Sequence, residues 1–502
     1  MTDAKKLLDT LNESQQQAVS TPNTPLCIQA GAGTGKTRVL TRRIAFQAQQ
    51  GNIDPKHTLA LTFTRKAANE MRHRLTKLGM QQQVSVGTFH SAAYSQLLTR
   101  WAEQRKRPRK LLRDKQGLMA RAAKDAGLRL SKPEIQDTVA ELEWAKARRV
   151  SPQQYPMMIV SLGRSAPMEP GLLSSLFESY EAEKAKRLVL DFDDLLILAL
   201  LDLAENPDYA EARRWQFQHL FVDELQDVNR LQFDLLRAWL GERSDLCAVG
   251  DPNQAIYGWN GADSAYIERF QDWFANATVL KLEENYRSTP QILTAGRAVL
   301  GPGAQPLKAH CPDGPIPTVF SHTNDGDEAL EIARALRDAK GPETVWRSMA
   351  VLARTNAQTA TLGAALDRAQ IPYQVRTETS RTTTSTPTHD AVAVSTFHAA
   401  KGLEWPIVHL AGMEQGFVPI AQAQTPRELA EERRLLYVAI TRAQQVLHCH
   451  WASERRFGDR TVPRLPSPHL YAISQATKSR YKSKGINTTT TVASHSRNTS
   501  ST

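Results

Sequence analysis

The chain of 502 residues carries 63 lysines and arginines against 52 aspartates and glutamates, a net charge of +11 and a pI near 9.4. That length predicts roughly two to four domains with real cores, and the basic excess favours polyanionic partners, nucleic acid before a membrane. The four cysteines (Cys27, Cys247, Cys311 and Cys449) are far apart and form no CxxC pair, so neither a zinc site nor a disulfide framework is indicated and a reducing compartment fits. The opening residues, MTDAKKLLDTLNESQQQ, lack an apolar signal core, and no apolar run is long enough to span a membrane. A soluble, cytoplasmic protein without a membrane partner is therefore expected.

Residues 1–20 read as a short amphipathic helix leading into the first strand. Next comes LCIQAGAGTGKTR (26–38), an apolar run, a glycine-rich turn and the start of a helix. Glycines 31, 33 and 35 permit the φ > 0 geometry that turns backbone N–H groups towards one point, and the helix N-terminus adds partial positive charge. Residues Ala30, Gly31, Ala32, Gly33, Thr34 and Gly35 would cradle a polyphosphate. Lys36 would reach its β/γ-phosphates, and Thr37 would place a hydroxyl on Mg²⁺. The strict pattern has Gly at position 30, where this chain carries Ala, the smallest substitute.

Further along, HTLALTFTRKAANEMRHRL reads as a buried strand and a basic helix, and VSVGTFHSAAYSQLL as a second strand and helix. From 95 to 187 the chain turns helical and polar after the strongly basic WAEQRKRPRKLLRDK, which marks an inserted helical subdomain. HLFVDELQDVN is a strand ending in acids, and DLCAVGDPNQAIYGWNGAD a strand with an exposed loop. Such alternation predicts a parallel sheet with helices on both faces, and a second unit of the same kind starts near 281. RTETSRTTTSTPTHD (376–390) reads as an exposed linker and the residues after 475 as a disordered polar tail.

An ATPase needs carboxylates for the metal and for the attacking water. Asp223 is the candidate Mg²⁺ ligand and Glu224 the candidate general base, although an acidic pair at a strand end also suits a solvated turn. Gln254 could orient the water or sense the γ-phosphate. Arg287 and Arg442, both in the second half, are candidate arginine fingers, and either would also serve as an ordinary ion-pair partner.

Taken together, these stretches resemble superfamily 1A helicases, the UvrD/Rep/PcrA family. LNESQQQAV is similar to its glutamine motif, AGAGTGKTR to motif I, LTFTRKAANEMR to motif Ia and GTFHS to motif Ib. VDELQD, VGDPNQAIYGWNGA, ENYRSTPQIL, STFHAAKGLEWPIV and EERRLLYVAITRA resemble motifs II to VI, in family order.

The resemblance implies an α/β fold of two RecA-like P-loop domains with parallel sheets. Residues 1–94 and 188–280 would form the first domain (1A), 95–187 a helical insertion (1B), and 281–475 the second domain (2A). It further implies that Gln15 reads the adenine edge between Arg38 and Tyr286, and that Arg287 and Arg442 reach across the cleft. Glu404 would approach the ribose or couple nucleotide to DNA. Phe63, Tyr257 and Trp259 would be base platforms. Thr64, Arg65, Thr88, His90, Arg354, Asn356 and His398 would contact the strand's backbone.

The implied activity is ATP-dependent, 3′→5′ movement on single-stranded DNA with unwinding at single–double-strand junctions. A DNA-binding module switched by ATP is the rival reading. Two departures stand out. Asn260 replaces the family's usual Arg. The interval 376–390 is also too short to hold the family's 2B subdomain, whose role would then fall to an accessory protein or be lost.

Overall fold

The computed structural model describes residues 4–80, 83–304, 306–376 and 390–478, together with the backbone of 481–483. Its first sheet has six strands in the order Ser85–Thr88, Thr58–Thr62, His219–Val222, Leu246–Gly250, Leu26–Ala30 and Thr278–Leu282, all parallel. Runs such as TLALT, HLFV and LCAVG are apolar at nearly every position, as strands covered by helices on both faces require. Two apolar clusters flank the sheet, one around Leu61, Val222 and Trp239, the other around Ile28, Leu40 and Val249. The chain leaves Leu26–Ala30 through the helix Lys36–Gln49 and re-enters the sheet three places away, at Thr58–Thr62. A crevice therefore opens at the carboxyl end of Leu26–Ala30, where open α/β sheets hold ligands.

The helical insertion has its own core, from Leu118 and Met119 to Phe177 and Tyr180. The helix Phe89–Glu103 crosses the boundary expected at 94, and its Phe89, Ala93 and Leu97 belong to the first domain's core. A buried ionic knot fastens insertion to domain. Lys146 Nζ lies 2.7 Å from Asp191 and from Asp194, and Lys184 Nζ lies 2.9 and 2.6 Å from the same pair. Asp191 also caps the helix Phe192–Glu205 reciprocally with Asp194. Removing one member would strand a buried charge, at a cost of about 3–5 kcal/mol.

The second sheet has seven parallel strands in the order Tyr373–Arg376, Val392–Thr396, Met349–Ala353, Trp405–Leu410, Ala443–Ala452, Thr318–His322 and Tyr481–Ser483. Its wide face carries a histidine chain, with His450 3.1 Å from His322 and 3.0 Å from His409. Burial holds His409 and His450 well below the usual imidazole range. The two domains share one apolar cluster, in which Ile256 and Tyr257 of the first meet Phe397, Trp405 and Leu436 of the second.

Two expectations shift. The N-terminal helix is two, Ala4–Leu8 and Glu13–Ser20, because Asn12 caps the second in a capping box. The helix Pro468–Thr477 and the strand Tyr481–Ser483 carry order past 475, since the strand completes the edge beside Thr318–His322. Residues 377–389 of the expected linker, and 484–502 of the expected tail, lie outside the described residues. Among the described residues no helix is long and apolar enough to cross a membrane.

Candidate active site

The glycine-rich loop joins Leu26–Ala30 to the helix Lys36–Gln49 and takes its shape from two glycines, Gly33 at φ 67° and Gly35 at φ 83°. Gly31 is not in the left-handed region, contrary to expectation. Its missing Cβ instead makes room for Leu307, whose Cδ2 would lie 2.5 Å from it. Ala30 ends the strand in extended backbone, fully buried, so this position needs no glycine. Lys36 Nζ donates to the carbonyls of Ala30 and Gly31 at 3.1 and 3.3 Å.

Thr37 Oγ1 donates to Asp223 Oδ2 at 3.2 Å, joining the helix start to the acid that follows His219–Val222. Burial, and then the neighbouring Glu224, push the Asp223 carboxyl up to about 7. Burial also opposes the charge on Glu224, but Lys36 and Lys401 outweigh it and hold that carboxyl below its usual value. Glu224 stands at φ 58°, a left-handed conformation that costs energy for a residue with a Cβ. A hydroxyl and a buried carboxyl with unmet demand for positive charge suit a hard divalent cation, so Thr37 and Asp223 fit Mg²⁺.

The second domain closes the other side. Arg442 is 1% exposed, donates to the carbonyls of Val438 and Leu403, and lies 3.4 Å from Gln254 Oε1. Burial and then Arg287 bring its pKa down to about 9. A buried guanidinium with a second, half-buried one lowering its pKa suits an anion such as a triphosphate. Arg287 stands against the phosphate loop and forms an ion pair with Glu404 at 2.5 Å, although its Nε–H is not aligned for a hydrogen bond. Glu404 thus engages a finger candidate in this structure, with Gln444 as its second partner.

Around the adenine position, Gln15 Nε2 donates to Thr34 O at 2.9 Å, tying the glutamine motif to the loop. The two residues expected to pack on the adenine's faces have other contacts in this structure. Tyr286 stacks on His310 with centroids 4.4 Å apart, and Arg38 donates to Thr10 O at 3.0 Å. His310 carries no motif signal and was not foreseen.

Four rings from three separate motifs gather between the two domains. Phe63 stacks on Tyr257 at 5.2 Å, Tyr257 lies 6.4 Å from both Trp259 and His398, and Trp259 meets His398 edge-on at 6.4 Å. Trp259 is 46% exposed and presents a free face, whereas Tyr257 is 5% exposed and has a packing role. Phe63 and His90 line a groove of about 640 Å³ that runs between the first domain and the insertion, past Asn260. Arg65 and Asn356 are exposed at helix starts. Thr64 and Thr88 use their hydroxyls as N-caps. Arg354 is held by both oxygens of Glu432, at 3.1 and 2.7 Å, so in this state it does not face a ligand.

Several coupling residues were not singled out from the sequence. Lys401 Nζ lies 2.6 Å from Asp227 and 2.6 Å from the Gln254 carbonyl, crossing between domains. Gln226 links the Glu224 carboxylate to the Asp251 N–H. Asn285 donates to Ala32 O at 2.6 Å and accepts from the N–H groups of Arg287 and Ser288, which rivets the stretch 285–288 to the phosphate loop. Glu431 accepts from Gly258 N at 3.0 Å and Trp259 N at 3.4 Å. Opposite charge within VDELQD and AAKGLE was the available signal for the Lys401–Asp227 pair. The others are side chain to backbone contacts that no spacing announces.

Fold and site together define a nucleoside-triphosphatase built from two RecA-like domains around a phosphate loop. Residues 11–275 match the UvrD/REP helicase N-terminal domain, and residues 280–381 and 377–454 match the UvrD-like helicase C-terminal domain. The chain belongs to the UvrD-like helicase family. It is 32% identical over 579 aligned positions to the ATP-dependent DNA helicase UvrD2 of Mycobacterium tuberculosis, covering 94% of this chain and 83% of that protein. It is 34% identical to the ATP-dependent DNA helicase PcrA of Leuconostoc citreum and 32% identical to DNA helicase II of Escherichia coli. These two matches cover 74% of this chain and about half of each relative (50% and 52%).

Proposed function

We propose that this protein is an ATP-dependent DNA helicase that moves 3′→5′ on single-stranded DNA and opens duplex at a junction, hydrolysing ATP between its two RecA-like domains. The observation that carries the reading is the convergence of Lys36, Thr37, Asp223 and Glu224 from one domain with Arg287 and Arg442 from the other, beside an exposed Trp259 at the mouth of a groove.

The loop N–H groups and Lys36 hold the β- and γ-phosphates, which draws Lys36 away from the Ala30 and Gly31 carbonyls. Thr37 and Asp223 would hold Mg²⁺, which would supply positive charge to offset that of the phosphates. Glu224, kept ionised by Lys36 and Lys401, takes the proton of the attacking water. Gln254 orients that water. Arg287 and Arg442 stabilise the charge that develops on the transferred phosphoryl group. Gln15 recognises adenine, with Tyr286 and Arg38 rotating onto its faces, and Glu404 exchanges Arg287 for the nucleotide. Trp259 stacks on a base. Phe63, Thr64, Arg65, Thr88, His90, Asn356 and His398 line the strand's path, and Arg354 joins them when Glu432 releases it.

The reading also includes loss of the 2B subdomain. Three facts support it: Arg376 and Val392 belong to adjacent parallel strands, the two pieces of the C-terminal family match meet at 377–381, and the 579-position alignment is longer than this chain of 502 residues. A partner protein would then supply any duplex contact that 2B provides.

Strand displacement on partial duplexes with a 3′ or a 5′ single-stranded tail tests the reading. Displacement that needs ATP and a 3′ tail is expected. Displacement only from the 5′ tail would overturn the polarity, and tight ATP-dependent binding without displacement would favour the switched binding module.

A further inference from the structure

The basic run between the first domain and the insertion has no part in the site described above. Arg105, Lys106, Arg107, Arg109, Lys110 and Arg113 are all exposed, and none forms an ion pair among the described residues. The nearest acids in sequence are already engaged. Glu103 is paired with Arg100 at 3.6 Å, and Asp114 accepts from Gly117 N at 2.8 Å as the cap of the next helix. The positive charge is therefore not neutralised locally.

The run is also held in place at both ends. On one side, Arg105 at φ 54° ends the helix Phe89–Glu103, with Lys106 N bonded to Trp101 O at 2.8 Å. On the other, Lys110–Leu111 pairs with Val189–Leu190, and Leu112 N donates to Leu190 O at 2.7 Å. The segment 105–110 thus spans, by about 20 Å at most, from the end of that helix to a strand pair whose Leu111 and Leu190 pack on the first domain's core. Its downstream end is the lip of the groove, since Leu112, Arg113, Lys115 and Gln116 line that groove opposite Phe63 and His90.

We infer that the 105–110 segment is a second contact for single-stranded DNA, gripping the phosphodiester backbone of the strand where it runs beyond the groove. The inference rests on the reading that the groove holds single-stranded DNA. Fixed, unpaired cations in line with a groove fit a polyanion that emerges from it, and the mixture of Lys and Arg with no aromatic residue among them suits backbone contact without base recognition.

The test is equilibrium binding of the full chain and of a fourfold variant (Arg105→Gln, Lys106→Gln, Arg107→Gln and Arg109→Gln) to oligothymidylates across a salt series. One oligonucleotide has about 8 nucleotides, enough to fill the groove, and the other about 25. The variant is expected to lose about tenfold affinity or more for the long one and less than about twofold for the short one. Its log K against log salt slope on the long oligonucleotide should be shallower by about 3, at roughly 0.7 for each of the four phosphates no longer neutralised. Equal weakening at both lengths, an unchanged slope, or weakening confined to blunt duplex of the same length would each overturn the inference. If the unaltered chain binds neither oligonucleotide, the reading on which it rests fails as well.

Discussion

At the scale of single residues, the chemistry lies in how two adjacent acids are made different. Asp223 is raised to about 7 while Glu224 is held low, because Lys36 and Lys401 face Glu224 and burial dominates at Asp223. The carboxylate with the lower pKa is ionised at neutral pH and available as the base. The other is ready for a cation that would pull its proton off. Glu224→Gln is therefore expected to lower ATP turnover by about 100-fold or more, the contribution of a positioned general base, while ATP binding persists. Steady-state turnover beside nucleotide binding checks this, and turnover within a few-fold of the unaltered chain would remove Glu224 from the role. These residues were legible because the loop and the acids each carry their signature within a few positions. Lys401 was not, since its partner Asp227 lies 174 positions away and the pairing exists only once the two domains meet.

On the proposed reading, the element that would connect nucleotide to DNA is the helix Pro426–Ile440. Its C-terminal end leads into Arg442, and its outer face grips the loop carrying Trp259: Arg434 donates to Ala255 O at 2.8 Å, and Glu431 accepts from Gly258 and Trp259. A Cβ at Gly258 would meet Glu431 Oε2 at 2.3 Å, so the approach depends on glycine there. Glu431→Ala removes a hydrogen bond to a charged acceptor, worth about 1.5–3 kcal/mol, from the link itself. It is expected to lower DNA-stimulated turnover by about tenfold at an ATP KM changed less than about twofold. Glu431→Gln, which keeps an acceptor, should recover most of it. An equal drop in both variants would indicate general damage to the interface instead of a broken link. The strands were readable as apolar runs, and the helical insertion as a change to polar helical sequence. The boundary at 94 fell inside the helix Phe89–Glu103, which is continuous and whose buried apolar residues, Phe89, Ala92, Ala93 and Leu97, all pack on the first domain's core.

At the scale of the whole molecule, two domains with sheets of the same parallel kind share one apolar cluster, entered from the first domain by Ile256 and Tyr257, and the family resemblance foretold the pair of domains. The histidine chain of the second sheet was not foretold, because His322, His409 and His450 lie on three strands and meet only through register. It carries a pH signature. With the folded pKa values depressed, folded and unfolded chains are both neutral above about pH 6.5, and the contribution of the cluster is intact there. Below that, the unfolded chain takes up protons that the folded one refuses, so stability falls by up to about 1.4 kcal/mol per pH unit for each such histidine. The urea midpoint should therefore drop between pH 7 and pH 5, and His450→Gln should flatten the slope by about one proton. A slope unchanged by that substitution would mean that the histidines titrate alike in both states.

The central claim is that one machine joins nucleotide hydrolysis to a DNA strand, and its most direct test is steady-state ATP hydrolysis with and without single-stranded DNA, at low and moderate salt. The account predicts strong stimulation that weakens as salt rises and disappears in Glu224→Gln. Hydrolysis at the same rate with and without DNA would contradict it.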